Sequence, residues 1–206
     1  MSHERKIGLY VTDTMADWEY AYLTTQIAEA EQCKPGRFSL EFVGDAPVRS
    51  LGGLYVAPTM TISQGNNLDA LIIPGASTYH AGHEDLAELV GTLLGRDVPV
   101  AAICGATFFL ARNGWLDERK HTSNVLEYLQ SSGYAGSENY VDEAVVTDRG
   151  VTTAGGIHPV QFTAEVMRVI GLYPQAIIDS WEQLYLTGES EHYATMMKAF
   201  DDWQHT

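Results

Sequence analysis

Cysteine is scarce in this chain. Cys33 and Cys104 stand far apart with unrelated flanks, which argues against a disulfide framework and against a paired-cysteine redox or zinc motif. Such usage fits a reducing, cytoplasmic setting. Basic residues are also few: 12 Lys+Arg face 27 Asp+Glu, for a net charge of −15. Like charges repel, so neither nucleic acid nor an anionic membrane is expected as a partner. Long apolar runs are missing as well. The longest nearly uninterrupted one, 98–111, contains Pro99 and Gly105 and falls short of the about 20 residues a membrane helix needs. The first residues reach Asp13 after a handful of apolar positions, too few for the core of a secretory signal. No metal-ligand spacing and no phosphate-binding glycine loop occurs, so no metal and no cofactor is expected.

What is present is a chain of 206 residues, 45% hydrophobic, enough to bury one good core. Short runs rich in β-branched residues and ending in turn residues predict strands over 7–12, 38–43, 70–73 and 100–103. "LDALIIPG" and "DVPVAAICG" are apolar without alternation, as strands covered on both faces are. Helical patterns fall between and after them, over 17–32, 84–94, 107–112, 124–130 and 160–170, with a hairpin-like pair near 145–153. Strand then helix, repeated, implies right-handed crossovers and an α/β fold: a largely parallel sheet with helices on both faces. One domain over 1–206 is expected. Its tail, 173–206, carries two acidic, aromatic-bearing helices that pack on the domain or on a second subunit.

In an open parallel sheet, ligands bind outside the carboxyl ends of the strands. The residues just past each strand are therefore the informative ones: 13–19, "PGAS", Cys104-Gly105 and "AGGIHP". A cysteine at a strand-to-helix turn is presented by a tight bend that a small neighbour permits. The helix N-terminus behind it favours the thiolate. "ICGAT" fits, although a free cysteine is also a common inert core residue. Gly75 could bring its own N–H, or that of Ala76, to a substrate oxygen and complete an oxyanion hole with Gly105; the plainer reading is a Pro-Gly turn ending a strand. Glu19 sits near the start of the first helix, where the dipole favours a carboxylate whatever else it does.

The segments "LIIPGAS", "AAICGATFFLARNGWLDERKHTSN" and "GVTTAGGIHPVQFTAEVMRVIG", with "DWEYA" after the first strand, resemble in order and spacing the DJ-1/PfpI superfamily. The resemblance spans roughly 6–171. It implies a flavodoxin-like three-layer sandwich related to class I glutamine amidotransferase domains, assembled as homodimers or larger homo-oligomers. It further implies that Cys104 is the elbow nucleophile and Glu19 the carboxyl group that meets its sulfur. Gly75 and Gly105 take the oxyanion-hole positions. A buried carboxyl beside a thiolate is expected to share one proton with it. Many relatives carry a histidine directly after the cysteine, where this chain has Gly105. Others carry it where Asn124 stands here, three residues past His121, a spacing that turns His121 to the other face. Asn124, with Glu127 three residues on, also reads as a helix cap. His158 of "GGIHP" is the leading replacement base; His80, and with it His83, lies near the same edge.

Three functions follow. Cys104 adds to a small carbonyl, amide or ester, as in glyoxalase-, deglycase- or hydrolase-type chemistry, with His158 or Glu19 moving protons. Alternatively Cys104 is a stress sensor oxidised by a small oxidant to a sulfinate, or the protein is a small-molecule-binding scaffold.

Overall fold

The structure is a computed structural model that describes residues 4–205; Met1, Ser2, His3 and Thr206, inside the expected domain 1–206, lie outside the described residues. A six-stranded sheet runs in the order β2-β1-β5-β6-β8-β7. Its strands are β1 (Arg5–Tyr10), β2 (Phe38–Val43), β5 (Ala70–Ile73), β6 (Val100–Ile103), β7 (Val145–Asp148) and β8 (Val151–Ala154). Every neighbouring pair is parallel except the β7–β8 hairpin. A separate ribbon joins β3 (Val48–Arg49) to β4 (Tyr55–Val56).

The absence of apolar alternation in the central strands has a direct cause: both faces are buried. Ile7 and Leu9, Ala70 and Ile72, Ala101 and Ile103 face one core. There they meet α1 (Asp17–Cys33), α5 (Pro159–Ile170) and α6 (Gln175–Thr187). Leu71, Ile73, Val100 and Ala102 face a second core, against α2 (Glu84–Leu94), α3 (Gly105–Arg112) and α4 (Leu126–Gln130). Successive side chains of a strand point to opposite faces, so each strand must be apolar at every position to feed both. This is the flavodoxin-like α/β sandwich.

Two boundaries differ from the sequence reading. The first strand runs Arg5–Tyr10 rather than 7–12, because the charged Arg5 and Lys6 still pair with Phe38 and Ser39. Helix α4 begins at Leu126, with Val125 at its N-cap and no side-chain cap, so Asn124 does not cap it.

The tail helix α6 and the last helix, α7 (Ser190–Gln204), lie on the α1 face. Trp181 is 2% exposed and meets Tyr22 and Tyr185 at ring distances of 5.8 and 4.7 Å; Tyr173 packs edge-on against Phe200 and Trp203. No helix of the described residues is long and apolar enough to cross a membrane. Because Trp181 is so well enclosed, Trp181→Ala leaves a large hole, and a loss of about 3–5 kcal/mol is expected in urea unfolding.

Candidate functional site

The carboxyl ends of β1, β5, β6 and β8 bring four connections to one edge of the sheet. Cys104 follows β6 directly and takes φ 57°, ψ −121°, a conformation that costs a non-glycine residue of order 1–3 kcal/mol and persists only where neighbours impose it. They do: the Cys104 N–H donates to Ala154 O of β8 at 2.9 Å, and its own carbonyl accepts from the Thr107 hydroxyl at 2.6 Å. Helix α3 starts at once, with Gly105, two residues earlier than its apolar pattern suggests.

Gly105 and Gly156 permit close approaches. A β-carbon on Gly105 would lie 2.6 Å from Ala76 O and 3.1 Å from Ala76 N, so no side chain fits after the cysteine unless the Ala76 backbone moves. One on Gly156 would lie 2.8 Å from Cys104 Sγ and 3.0 Å from Glu19 Oε1. The three groups therefore converge on one small volume.

Glu19 reaches this volume from the first turn of α1 and is 1% exposed. Its Oε2 accepts the Gly75 N–H at 2.6 Å, Oε1 has no well-aligned hydrogen-bond partner, and the carboxyl group interacts with the Cys104 side chain. Burial pushes the Glu19 carboxyl up to about 7 against these two interactions. Burial first, and the Glu19 carboxylate second, push the Cys104 thiol up also, partly offset by hydrogen bonds from Asn124 and from the Gly105 N–H. The thiolate-favouring helix N-terminus expected from sequence is thus outweighed by loss of water and by a neighbouring negative charge.

Asn124 Nδ2 donates to Cys104 Sγ at 3.4 Å, and its Oδ1 accepts the Gly156 N–H at 2.8 Å. Among the described residues no histidine forms a hydrogen bond with the sulfur. His158 is the N-cap residue of α5, and among the described residues its ring forms no hydrogen bond with the sulfur; it lines a groove of about 480 Å³ with Asn124, Asp142 and Glu143. His158 thus shares a groove with Asn124, which contacts the sulfur, but makes no direct hydrogen bond to it among the described residues. His80 is exposed and its ring lies 4.8 Å from that of Phe108. His83 accepts or donates at Tyr10 Oη, 2.8 Å away, and the fully buried His121 is held by Arg119 O and Tyr134 Oη. Of the two donors expected at Gly75, its own N–H is engaged by Glu19, while Ala76 N–H has no partner among the described residues.

A model of the DJ-1/PfpI family matches residues 5–169. The chain belongs to the DJ-1/PfpI family. A Bacillus subtilis family relative described as an uncharacterized protease, YoaZ, is 34% identical over 96% of this chain and 98% of its own. Among solved structures, a thiJ/pfpI family protein from Bacillus anthracis shares 34% identity with a TM-score of 0.83, covering 95% of this chain and 97% of that one. A DJ-1 superfamily protein from Agrobacterium tumefaciens shares 31% with a TM-score of 0.77, over 90% of this chain and the whole of that one.

Two residues escaped the sequence reading of this DJ-1/PfpI chain. Gly156 stood unremarked inside "AGGIHP", and the doubled glycine just past a strand was the available signal. Trp18, 51% exposed, donates from Nε1 to Gly156 O at 3.1 Å and braces that loop over the sulfur; no pattern marked it.

Two outcomes follow for the DJ-1/PfpI site. Gly156→Ala places a methyl against the sulfur and is expected to slow alkylation of Cys104 by iodoacetamide at least about tenfold, a loss of roughly 1.4 kcal/mol of transition-state access. For Glu19, a folded value raised from 4.5 to about 7 favours the neutral acid, so its contribution to stability is complete below about 4.5 and is lost as pH rises through about 7. Glu19→Gln does not ionise. Its stability relative to the parent is expected to increase by of order 3 kcal/mol between pH 4 and pH 8.5, read by urea unfolding at both values.

Proposed function

We propose that the protein is a cysteine-dependent enzyme in which Cys104 adds to the carbonyl carbon of a small aldehyde or related carbonyl compound. The observation that carries this reading is the grouping of Glu19, Asn124 and the Gly105 N–H around the elbow sulfur, with no imidazole bonded to it among the described residues. In the addition step an S–C bond forms and the carbonyl π pair moves to oxygen. The thiol proton passes to the Glu19 carboxylate, and Gly105 N–H and Ala76 N–H face the new oxyanion. Because thiol and carboxyl act as one unit, the reactive form carries a single proton between them, whichever atom holds it.

The site favours carbonyl addition over peptide hydrolysis. Carbonyl addition needs only the one proton transfer that Cys104 and Glu19 share, whereas cleaving an amide needs a proton delivered to the leaving amine as well. Relatives described as uncharacterized proteases make peptide hydrolysis the competing activity to assay. The homodimer and the cytoplasmic setting expected from family and composition stand as part of the same proposal; exposed Leu51, Leu54 and Tyr55 around the β3–β4 ribbon offer apolar surface for a second copy, which sedimentation would reveal.

Steady-state turnover of glyoxal or methylglyoxal tests the reading. Loss of turnover in Cys104→Ala is expected, together with kcat/KM that rises with pH through about 7, the value to which Glu19 is pushed, and loss of that limb in Glu19→Gln. His158→Ala is expected to stay within about threefold of the parent, since no hydrogen bond ties it to the sulfur. Undiminished turnover in Cys104→Ala, or efficient casein hydrolysis without aldehyde turnover, overturns the proposal.

A further inference from the structure

We propose that Asn124 is a catalytic residue in its own right: a pinned carboxamide that holds negative charge on the Cys104 sulfur and never exchanges a proton. The inference rests on Cys104 being the reactive group and adds a role that the carbonyl-addition reading leaves unassigned.

The orientation of an amide side chain is fixed by what its two ends touch. The Gly156 N–H donates to Oδ1 at 2.8 Å, so the oxygen end is occupied by a donor and the NH2 end must face the sulfur, where Nδ2 sits 3.4 Å from Sγ. A flipped amide would set N–H against N–H at Gly156 and an oxygen against the sulfur. The side chain does not serve as a helix cap, because α4 starts beyond it and is capped by no side chain.

The backbone that carries Asn124 is fixed from below. Ser123 is buried, and its hydroxyl lies 2.6 Å from that of Thr107, which donates to Cys104 O at 2.6 Å. The Thr122 N–H donates to Thr153 Oγ1 at 2.9 Å and the Thr122 hydroxyl to Glu143 O at 2.8 Å. The elbow and the amide are thus parts of one hydrogen-bonded frame, the kind of preorganisation that makes a donor effective because it need not reorient as charge develops.

The titratable groups around the sulfur are Glu19 from α1, Tyr79 from the connection after β5 and Tyr128 from α4. All are acids, so each opposes a thiolate when ionised, and Glu19 can favour one only while it holds the shared proton. Asn124 Nδ2 and the Gly105 N–H also favour it. An amide can supply that hydrogen bond yet cannot accept the thiol proton, which leaves proton transfer to Glu19 alone.

The test needs no turnover, so it separates from the test of the carbonyl reading. In a Cys33→Ser background, the iodoacetamide rate at Cys104 is followed against pH by mass spectrometry for the parent, Asn124→Asp and Asn124→Ala, with melting curves for each. Asn124→Asp keeps an acceptor for the Gly156 N–H and turns a donor into a negative charge. Its alkylation midpoint is expected to rise by at least about one pH unit, a tenfold lower rate at pH 7. Asn124→Ala removes the donor without adding charge and is expected to give a smaller rise of about half a unit. An Asp midpoint unchanged or lowered overturns the proposal. Should the Asp variant melt early, an Ala midpoint equal to the parent's overturns it instead. A protein that shows the rise but turns over no aldehyde keeps this inference and loses the function proposed above.

Discussion

A carboxyl group and a thiol buried against each other can hold one negative charge between them, not two. Glu19 and Cys104 are in that position, and the rest of the site is arranged around the charge they share. Loss of water raises both groups. Backbone and side-chain donors decide where the charge rests: the Gly75 N–H draws it toward Glu19, while the Gly105 N–H and Asn124 draw it toward the sulfur. Proton position is thus set by hydrogen bonds on both sides, at 2.6 Å to the Glu19 oxygen and at 3.4 Å from Asn124 to the sulfur.

Holding two such groups in contact asks something of the backbone. A strand must end, reverse direction at the cysteine and begin a helix within one residue, which the φ of 57° at Cys104 accomplishes. Two other connections must then approach closer than side chains allow. Gly105 lets the end of β5 reach the helix start, and Gly156 lets the loop after β8 lie on the sulfur. The parallel sheet makes this possible because β1, β5, β6 and β8 all deliver their carboxyl ends to the same edge. With both of its faces buried, the sheet is a rigid base for a strained turn.

The layered fold was legible in the sequence because its cause is local. Apolar runs such as "ALII" and "VAAI", separated by helical periodicity, have few arrangements other than a sheet covered twice. Cys104 and Glu19 were legible through the resemblance of their flanking segments to a family. The parts that were not legible depend on where backbone donors go. Asn124 reads as a cap because its neighbours allow one, and only the start of α4 at Leu126 shows that its amide is free for the site. Gly75 looks like a free donor until Glu19 is seen to occupy it. His158 lies in the loop after β8, and whether its ring bonds to the sulfur is a matter of side-chain placement that the order of residues does not give; here it lines a groove with Asn124. Residue type and order do not carry such information; it comes from the register of three separate loops.

Trp18 gives the site a property that has nothing to do with its chemistry. Its indole is half exposed, yet its N–H is tied to the carbonyl of Gly156, the residue lying on the sulfur. Trp181 is enclosed, and Trp115 and Trp203 are partly covered on other helices and loops. Anything that displaces the Gly156 loop or settles over it changes the surroundings of one solvent-facing fluorophore out of four. The molecule therefore carries a built-in optical reporter beside its elbow cysteine, able to register occupancy by compounds that have no colour of their own.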